Sequence, residues 1–210
     1  MANDLTQSKI MKVLDWGYEK ALNGIKGMDT AYELAESYKE PNKTLLQQAE
    51  ALVRWQNAKC ATSGFITGLG GVLTLPVAIP ANIASTLYIQ IRMVAAIAIL
   101  AGYDVKDDRV KTMVYATLVG NEVKEMLKDV SIQVGKQMAK QMIKNISRET
   151  ITKINQKVGF RLVTKFGEKG FINLGKSIPL IGGVIGGTAD AIYSNIVGNA
   201  AIRMFIDENY

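Results

Sequence analysis

The sequence predicts an all-α protein, a compact multi-helix domain with two central Gly/Pro-rich apolar helical segments. Its 210 residues are 48% hydrophobic, which is enough to bury a sizeable core. Ala, Leu, Met, Lys, Gln and Glu favour helix throughout, and the apolar–polar alternation that marks strands is scarce. Two long runs nearly free of charge are interrupted by glycine and proline, and these runs are the predicted centre.

The first quarter of the chain has the apolar spacing of a soluble helical subdomain. Helices are predicted over residues 4–26, 29–39 and 43–59, with Gly27 ending the first and Asp29 capping the second. Charges are mixed into the first helix, so it is not expected to be a signal peptide, and a cytoplasmic location is expected. The side chains expected to pack the third helix are Leu45, Leu46, Ala49, Leu52, Val53 and either Trp55 or Trp16.

The composition changes at residue 60, where the first charge-free run begins. No charged residue occurs from Cys60 to Ile91, and Arg92 is the only one before Asp104. Prolines divide this run into predicted helices at 61–74 and 81–101. The glycines and prolines expected to shape helix packing here are Gly64, Gly68, Gly71, Pro76 and Pro80.

A second run, from Ser177 to Ile202, contains a single charge, Asp190. Four of its glycines stand at i and i+4 in two overlapping pairs, which leaves a strip where another backbone can approach. These glycines are Gly182, Gly183, Gly186 and Gly187. Arg92 and Asp190 would each be costly if buried alone, so they are predicted to pair across the two helices. In the alternative, Arg92 reaches the surface and Asp190 faces solvent.

Whether these runs cross a bilayer is not decided by the sequence. A spanning helix needs about 20 apolar residues. Residues 81–101 are long enough, but an arginine near the centre costs about 3 kcal/mol on the insertion scale and each Leu or Ile returns about 0.5. Three interpretations stay open: the core of a soluble domain, segments that enter or cross a bilayer, and a groove that holds a fatty chain.

The change at residue 60 also suggests an organisation into parts. Residues 1–59 are predicted to form an N-terminal helical subdomain and residues 60–210 the main helical domain, joined as one compact unit. Further helices are predicted over 108–120 and 158–168, with an amphipathic stretch over 121–157 that breaks near Ser147. Three carboxylates, Asp104, Asp107 and Asp108, lie close together in the sequence, but no metal site is predicted there. Asp107 is expected to cap the next helix.

Basic residues recur every four positions in the second half of the chain, interrupted by one skip. They are Lys136, Lys140, Lys144, Arg148, Lys153, Lys157, Arg161, Lys165 and Lys169. Residues 136–169 hold these nine against two glutamates, a net charge of +7, whereas the whole chain carries +6. This localised charge is predicted to form one basic helix face that suits an anionic membrane surface. The plain alternative is a solvated outer face of a core helix.

Nucleic-acid binding is not expected. No helix-turn-helix signature is present, and basic residues are not interleaved with aromatic ones. Phe160 and Phe166 instead stand at apolar spacing.

Two sequence blocks carry a resemblance to a known family. Residues Ser63–Asn82 are SGFITGLGGVLTLPVAIPAN, and Ile91–Asp104 are IRMVAAIAILAGYD. The second block is IPLIGGVIGGTADA at Ile178–Ala191, followed by Val197–Gly198. The chain resembles the EcsC family at these residues. The resemblance implies a bacterial origin, an association with membranes, transport or defence, and no established catalytic activity.

Composition excludes the commonest enzyme classes. The sequence has no histidine and one cysteine, which removes histidine-dependent triads and internal disulfides. A carboxylate-dependent enzyme remains an alternative and would need two carboxylates converging in a cleft. The expected function is non-enzymatic and cofactor-free, at the cytoplasmic membrane, either peripheral or conditionally inserted.

The expected partners are anionic lipids. A membrane or transport protein and a second copy of the chain are further candidate partners. The main alternative function is a soluble carrier or sensor of a fatty acid or lipid, which would need a closed apolar cavity between helices 81–101 and 180–202.

Overall fold

A computed structural model describes residues 5–61, 75–132, 143–167 and 189–206 of the protein. Within these ranges the regular structure is eight α-helices and one 3₁₀ turn, without strands, so the all-α prediction is confirmed. In chain order they are α1 (Gln7–Asn23), α2 (Ala31–Glu36), α3 (Leu45–Ala61), α4 (Ala81–Leu100), α5 (Asp108–Thr117), the 3₁₀ turn (Gly120–Glu122), α6 (Val123–Lys128), α7 (Arg148–Phe166) and α8 (Ala189–Phe205).

Helix α4 is the centre of the fold. It contacts α1, α2, α3, α5 and α8, and every residue from Ile83 to Ala98 is buried. A helix that is apolar on nearly all sides has no polar face to contact water, so other helices must cover it. Among the described helices, α4 alone is long and apolar enough to cross a membrane, with a mean hydropathy of 1.8, and 89% of that stretch is buried inside the protein.

The remaining helices form layers around this centre. Helices α3 and α8 pack on each other and on α4, while α7 lies outside, on α1, α5 and α6. Side chains from α1, α2 and α3 belong to the same apolar core as those of the later helices. The predicted boundary at residue 60 remains a prediction, but the described helices on its two sides share one core.

Several helix starts follow the capping signals in the sequence. The carboxylate of Asp107 accepts a hydrogen bond from the Arg109 backbone N–H at 2.8 Å, so its predicted capping role is confirmed. The predicted break near Ser147 is also confirmed, because the Ser147 hydroxyl caps α7 through the Thr150 N–H at 3.1 Å. These short polar side chains satisfy backbone donors that the first helical turn leaves unpaired.

Other predicted boundaries were wrong for identifiable reasons. The cap of α2 is Thr30 and not Asp29, because Thr30 and Glu33 form a reciprocal capping box. Helix α1 ends at Gly24, before the predicted Gly27, because Gly24 already adopts a left-handed φ of 86°. The predicted stretch 121–157 breaks after α6, where Ser131 has a φ of 63°.

Two further expectations about helix faces and lengths were wrong. Helix α7 runs without interruption through the boundary predicted between residues 157 and 158. On α3, Ala49, Leu52 and Val53 are buried as expected. The side chains expected to pack that are instead exposed are Leu45, Leu46 and Trp55. Of the two tryptophans, Trp16 packs in the core, with its ring centroid 6.2 Å from that of Tyr88.

Close helix approach occurs at glycines that the sequence interpretation did not select. A Cβ added at Gly198 of α8 would lie 2.6 Å from Cγ1 of Val53 on α3, far inside van der Waals contact. A Cβ at Gly17 of α1 would lie 3.1 Å from Cδ1 of Ile91 on α4. Gly198 follows Ser194 by four residues, a small-x-x-x-small pattern that indicates such contacts.

The close approach of Gly198 to Val53 predicts that Gly198→Ala changes the free energy of unfolding in a direction that depends on the side chain at position 53. Gly198→Ala should destabilise the protein by about 1–3 kcal/mol because the β-branched Val53 cannot yield without strain. In a Val53→Ala background the same substitution should stabilise, because the helix-propensity gain of about 1 kcal/mol is then unopposed. Urea unfolding of the four proteins measures this cycle, with Asn199→Ala as the control on the same helix. Equal effects of Gly198→Ala in both backgrounds would contradict the assigned contact.

Candidate functional site

The basic series on α7 does not keep to one face. A helix has 3.6 residues per turn, so a four-residue step advances the direction by about 40°. The side chain of Lys153 is 57% exposed, that of Lys157 40% and that of Arg161 26%. The series therefore winds from solvent toward the protein interior along α7.

Acidic side chains form ion pairs with the basic residues of α7 from its exposed side toward its buried side. Lys153 pairs with Glu149 at 2.6 Å on α7 itself, and Lys157 donates to Asp129 at 2.9 Å. Arg161 pairs with Glu122 in the 3₁₀ turn. The last two contacts hold α7 against the segment that contains α6. They also offset part of the positive charge that the sequence places on this helix.

Lys165, the last member of the series that the structure describes, is partly buried. Its Nζ is 3.6 Å from the centroid of the Tyr193 ring on α8, and the buried Tyr193 hydroxyl donates to the carbonyl oxygen of Leu118. Burial lowers the pKa of Lys165 to about 8, while the nearby Glu122 acts in the opposite direction. The ring face also favours the charged amine.

Gly120 makes room for this arrangement. It has a left-handed φ of 72°, and a Cβ there would lie 2.9 Å from Cγ2 of Ile196 and 3.8 Å from the Lys165 amine. Glycine is therefore required here by both conformation and space.

The outward side of the region carries cations and one aromatic ring. Lys144 and Arg148 are exposed, and neither forms an ion pair within the part of the chain that the structure describes. Phe160 is 66% exposed on the solvent side of α7, which it shares with Lys153. Both phenylalanines of α7 stand at apolar spacing in the sequence, but only Phe166 is buried. The remaining basic positions, Lys136, Lys140 and Lys169, lie outside the described residues.

Arg92 is buried in the middle of α4, and its described hydrogen bonds lead to the first part of the chain. Nη1 donates to the backbone oxygen of Asp29 at 3.0 Å, and Nη2 donates to Oε1 of Gln56 on α3 at 3.1 Å. The side chain of Asp190 lies outside the described residues, so the predicted Arg92–Asp190 pair remains a prediction. The alternative that Arg92 reaches the surface is wrong, because its side chain is enclosed.

The predicted packing positions are only partly described. Pro80 directly precedes α4, where its fixed φ suits a helix start, and Pro76 lies in the preceding bend. The predicted packing glycines Gly64, Gly68, Gly71, Gly182, Gly183, Gly186 and Gly187 lie outside the described residues. Between α4 and α8, Gln90 donates to the Ser194 hydroxyl at 3.2 Å.

The acidic corner before α5 serves the backbone. Asp104 accepts from the Lys106 N–H at 2.9 Å, and Asp107 caps α5. Among the described residues no group of three or more His, Cys, Asp or Glu side chains is placed to hold a metal ion.

Comparison with known proteins gives one match. The model of the EcsC protein family matches residues 2–206 of the 210-residue chain. Neither the curated proteins nor the solved structures compared with the chain give a match.

The buried contact between Arg92 and Gln56 predicts non-additive mutant stabilities. Gln56→Leu should destabilise by about 1–3 kcal/mol because it removes the acceptor of a buried guanidinium. Arg92→Met should also destabilise, yet the double variant should lose less than the sum. Urea unfolding measures the cycle, and Arg54→Met, on the exposed side of α3, is the control. Additive losses would show that the two side chains are not coupled.

The lowered pKa of Lys165 predicts a rise in stability with pH. An unfolded lysine titrates near pH 10.4, and folded Lys165 titrates at about 8. Between these values the unfolded chain binds the extra proton, so the free energy of unfolding should increase from pH 8 to 9.5. Lys165→Met should remove this increase and Lys153→Met should retain it, as measured by urea unfolding across that range. An unchanged rise in Lys165→Met would contradict the assignment.

Proposed function

Because the chain belongs to the EcsC protein family, we propose that it is a non-enzymatic helical protein that binds anionic membranes at their cytoplasmic surface. The contact is the exposed side of α7 with the cations that precede it. The single observation that carries this proposal is Phe160, a large aromatic side chain left 66% exposed on a helix that begins among unpaired basic residues. The complete absence of histidine supports the non-enzymatic part.

The chemistry of this surface matches that of a lipid interface. Aromatic rings partition to the boundary between headgroups and acyl chains, where Phe160 would insert. Lys144, Arg148 and Lys153 are exposed cations around the start of α7, and each cation near an anionic surface contributes about 1 kcal/mol. The inward members of the series stabilise the position of α7 and take no part in the contact.

Helix α4 remains in the protein core during this surface binding. Its removal would expose the apolar faces of all five surrounding helices and break the hydrogen bonds of Arg92. The segments proposed to contact acyl chains are the Gly-rich runs around residues 64–71 and 182–187, which have no charged residue within them.

Vesicle binding tests the surface contact. The protein should co-sediment with phosphatidylglycerol vesicles and not with phosphatidylcholine vesicles, and added salt should weaken the binding. Lys144→Gln with Lys153→Gln should reduce the affinity roughly tenfold or more, since two cations are removed from the contact. The matched control is Lys26→Gln with Lys106→Gln, two exposed lysines elsewhere.

The aromatic contribution is tested in the same assay. Phe160→Ser should weaken binding, and Tyr32→Ser, an exposed aromatic on α2, should not. The proposal fails if phosphatidylglycerol vesicles do not bind the protein, or if the control pair of lysines has the same effect as the α7 pair. In the second case net charge alone would explain the attraction.

Insertion of the Gly-rich runs needs its own measurement. Cys60 is the only cysteine, so Gly68→Cys in a Cys60→Ser background carries one environment-sensitive fluorophore inside the first run. We expect vesicles to blue-shift its emission and lipid-borne quenchers to reduce it. A fluorophore on Lys26→Cys in the same background should show the emission of an aqueous environment both with and without vesicles. If the emission of the fluorophore at position 68 does not shift when the protein binds vesicles, the insertion proposal is wrong and the surface-binding proposal still stands.

A further inference from the structure

A groove lies beside the start of α7, where α1, α5 and α7 meet. Its volume is about 490 Å³, and α5 and α7 each line it with residues spaced i, i+3, i+4 and i+7, beginning at Asp108 and Arg148. A second depression of about 400 Å³ continues along α1 and α7 and shares Met11, Thr152 and Asn155 with the first. The two form one continuous groove with apolar and charged walls.

Three polar side chains on one wall satisfy one another. Asp15 of α1 accepts from the Lys111 amine at 2.7 Å and from the Tyr115 hydroxyl at 2.9 Å. The Lys111 amine also lies 5.7 Å from the centroid of the Tyr115 ring. Because Asp15 is held in this cluster, Asp15 and Asp108 do not act as a free pair of carboxylates, although both line the groove.

Two opposite charges remain for a ligand. Asp108 and Arg148 line the groove, and neither forms an ion pair with another described residue. The side chain of Arg109 donates to the Ile146 carbonyl at 3.2 Å, which places the start of α5 beside the start of α7. Both helix N termini are already capped, so an anion here would be recognised by the arginine side chain.

Asn155 supplies a third recognition element. Its Oδ1 atom is buried and has no hydrogen-bond partner in the described part of the chain. Native proteins rarely leave such an acceptor unpaired. Asn155 lines both parts of the groove, so rotation of its side-chain amide would bring this unused acceptor to a bound molecule.

We propose that the groove binds a small zwitterion. Arg148 pairs with its phosphate or carboxylate, Asp108 pairs with its ammonium group, and Asn155 accepts a hydrogen bond from the same molecule. The apolar side chains of Met11 and Ile151 cover the carbon atoms between the charges. Two sources share this chemistry, the phosphoethanolamine headgroup of a lipid and a free amino acid. Arg148 also belongs to the proposed membrane contact, but soluble molecules probe the groove, so its test is separate from the vesicle assay.

Calorimetric titration of the full chain tests the site with glycerophosphoethanolamine and with alanine. We expect saturable binding of at least one of them, and weaker binding of glycerol 3-phosphate and of ethanolamine, which each carry one of the two charges. Arg148→Gln and Asp108→Asn should each weaken binding tenfold or more. Lys39→Gln and Glu36→Gln, an exposed ion pair away from the groove, should leave it unchanged.

The outcomes distinguish the sources and can overturn the site. Binding of glycerophosphoethanolamine alone assigns a lipid headgroup, and binding of alanine alone assigns a free amino acid. Thr152→Trp should block either ligand by filling the groove, and circular dichroism checks that each variant is folded. The proposal is overturned if neither zwitterion binds, if single-charge probes bind as well, or if the groove variants bind like the wild type.

Discussion

A buried cation inside an otherwise apolar helix is the constraint on which this fold depends. Arg92 lies within α4, and a guanidinium removed from water must have its donors satisfied. Its acceptors come from the turn before α2 and from α3, so both have fixed positions relative to α4. Helix α8 then closes over α3 and α4, using Gly198 to approach Val53. The core is thus organised around polar contacts as well as apolar ones.

The outer helix α7 shows how one charge pattern can serve two purposes. Its four-residue spacing differs from the helical period by 0.4 residue per turn of about 3.6, so successive cations rotate steadily. The early ones remain in solvent near Phe160, and the later ones pair with Asp129 and Glu122 or lie against Tyr193. A single helix therefore joins a surface with recognition potential to the contacts that hold it in place.

The sequence predicted the features that depend on local chemistry. Short stretches of sequence suffice to predict the caps at Asp107 and Ser147 and the mainly apolar helix α4. The break at Ser131 was missed because neither glycine nor proline marks it. The partners of Arg92 stand 36 and 63 residues away, and periodicity contains no information about such distances. The groove was missed because helical spacing looks the same whether a face packs fully or leaves space.

The burial of Arg92 also bears on the wider family. Helix α4 has the length and hydropathy of a membrane span, and its one ionised group ties it to α3 and to the turn before α2. In a homologue with leucine at the equivalent site, a helix of this composition would carry no charge, and its polar side chains would be those at the positions of Asn82, Ser85, Thr86 and Gln90. Moving such a helix into a bilayer would avoid the cost of an intramembrane arginine, so the residue at this position bears on whether the helix can leave the five that surround it.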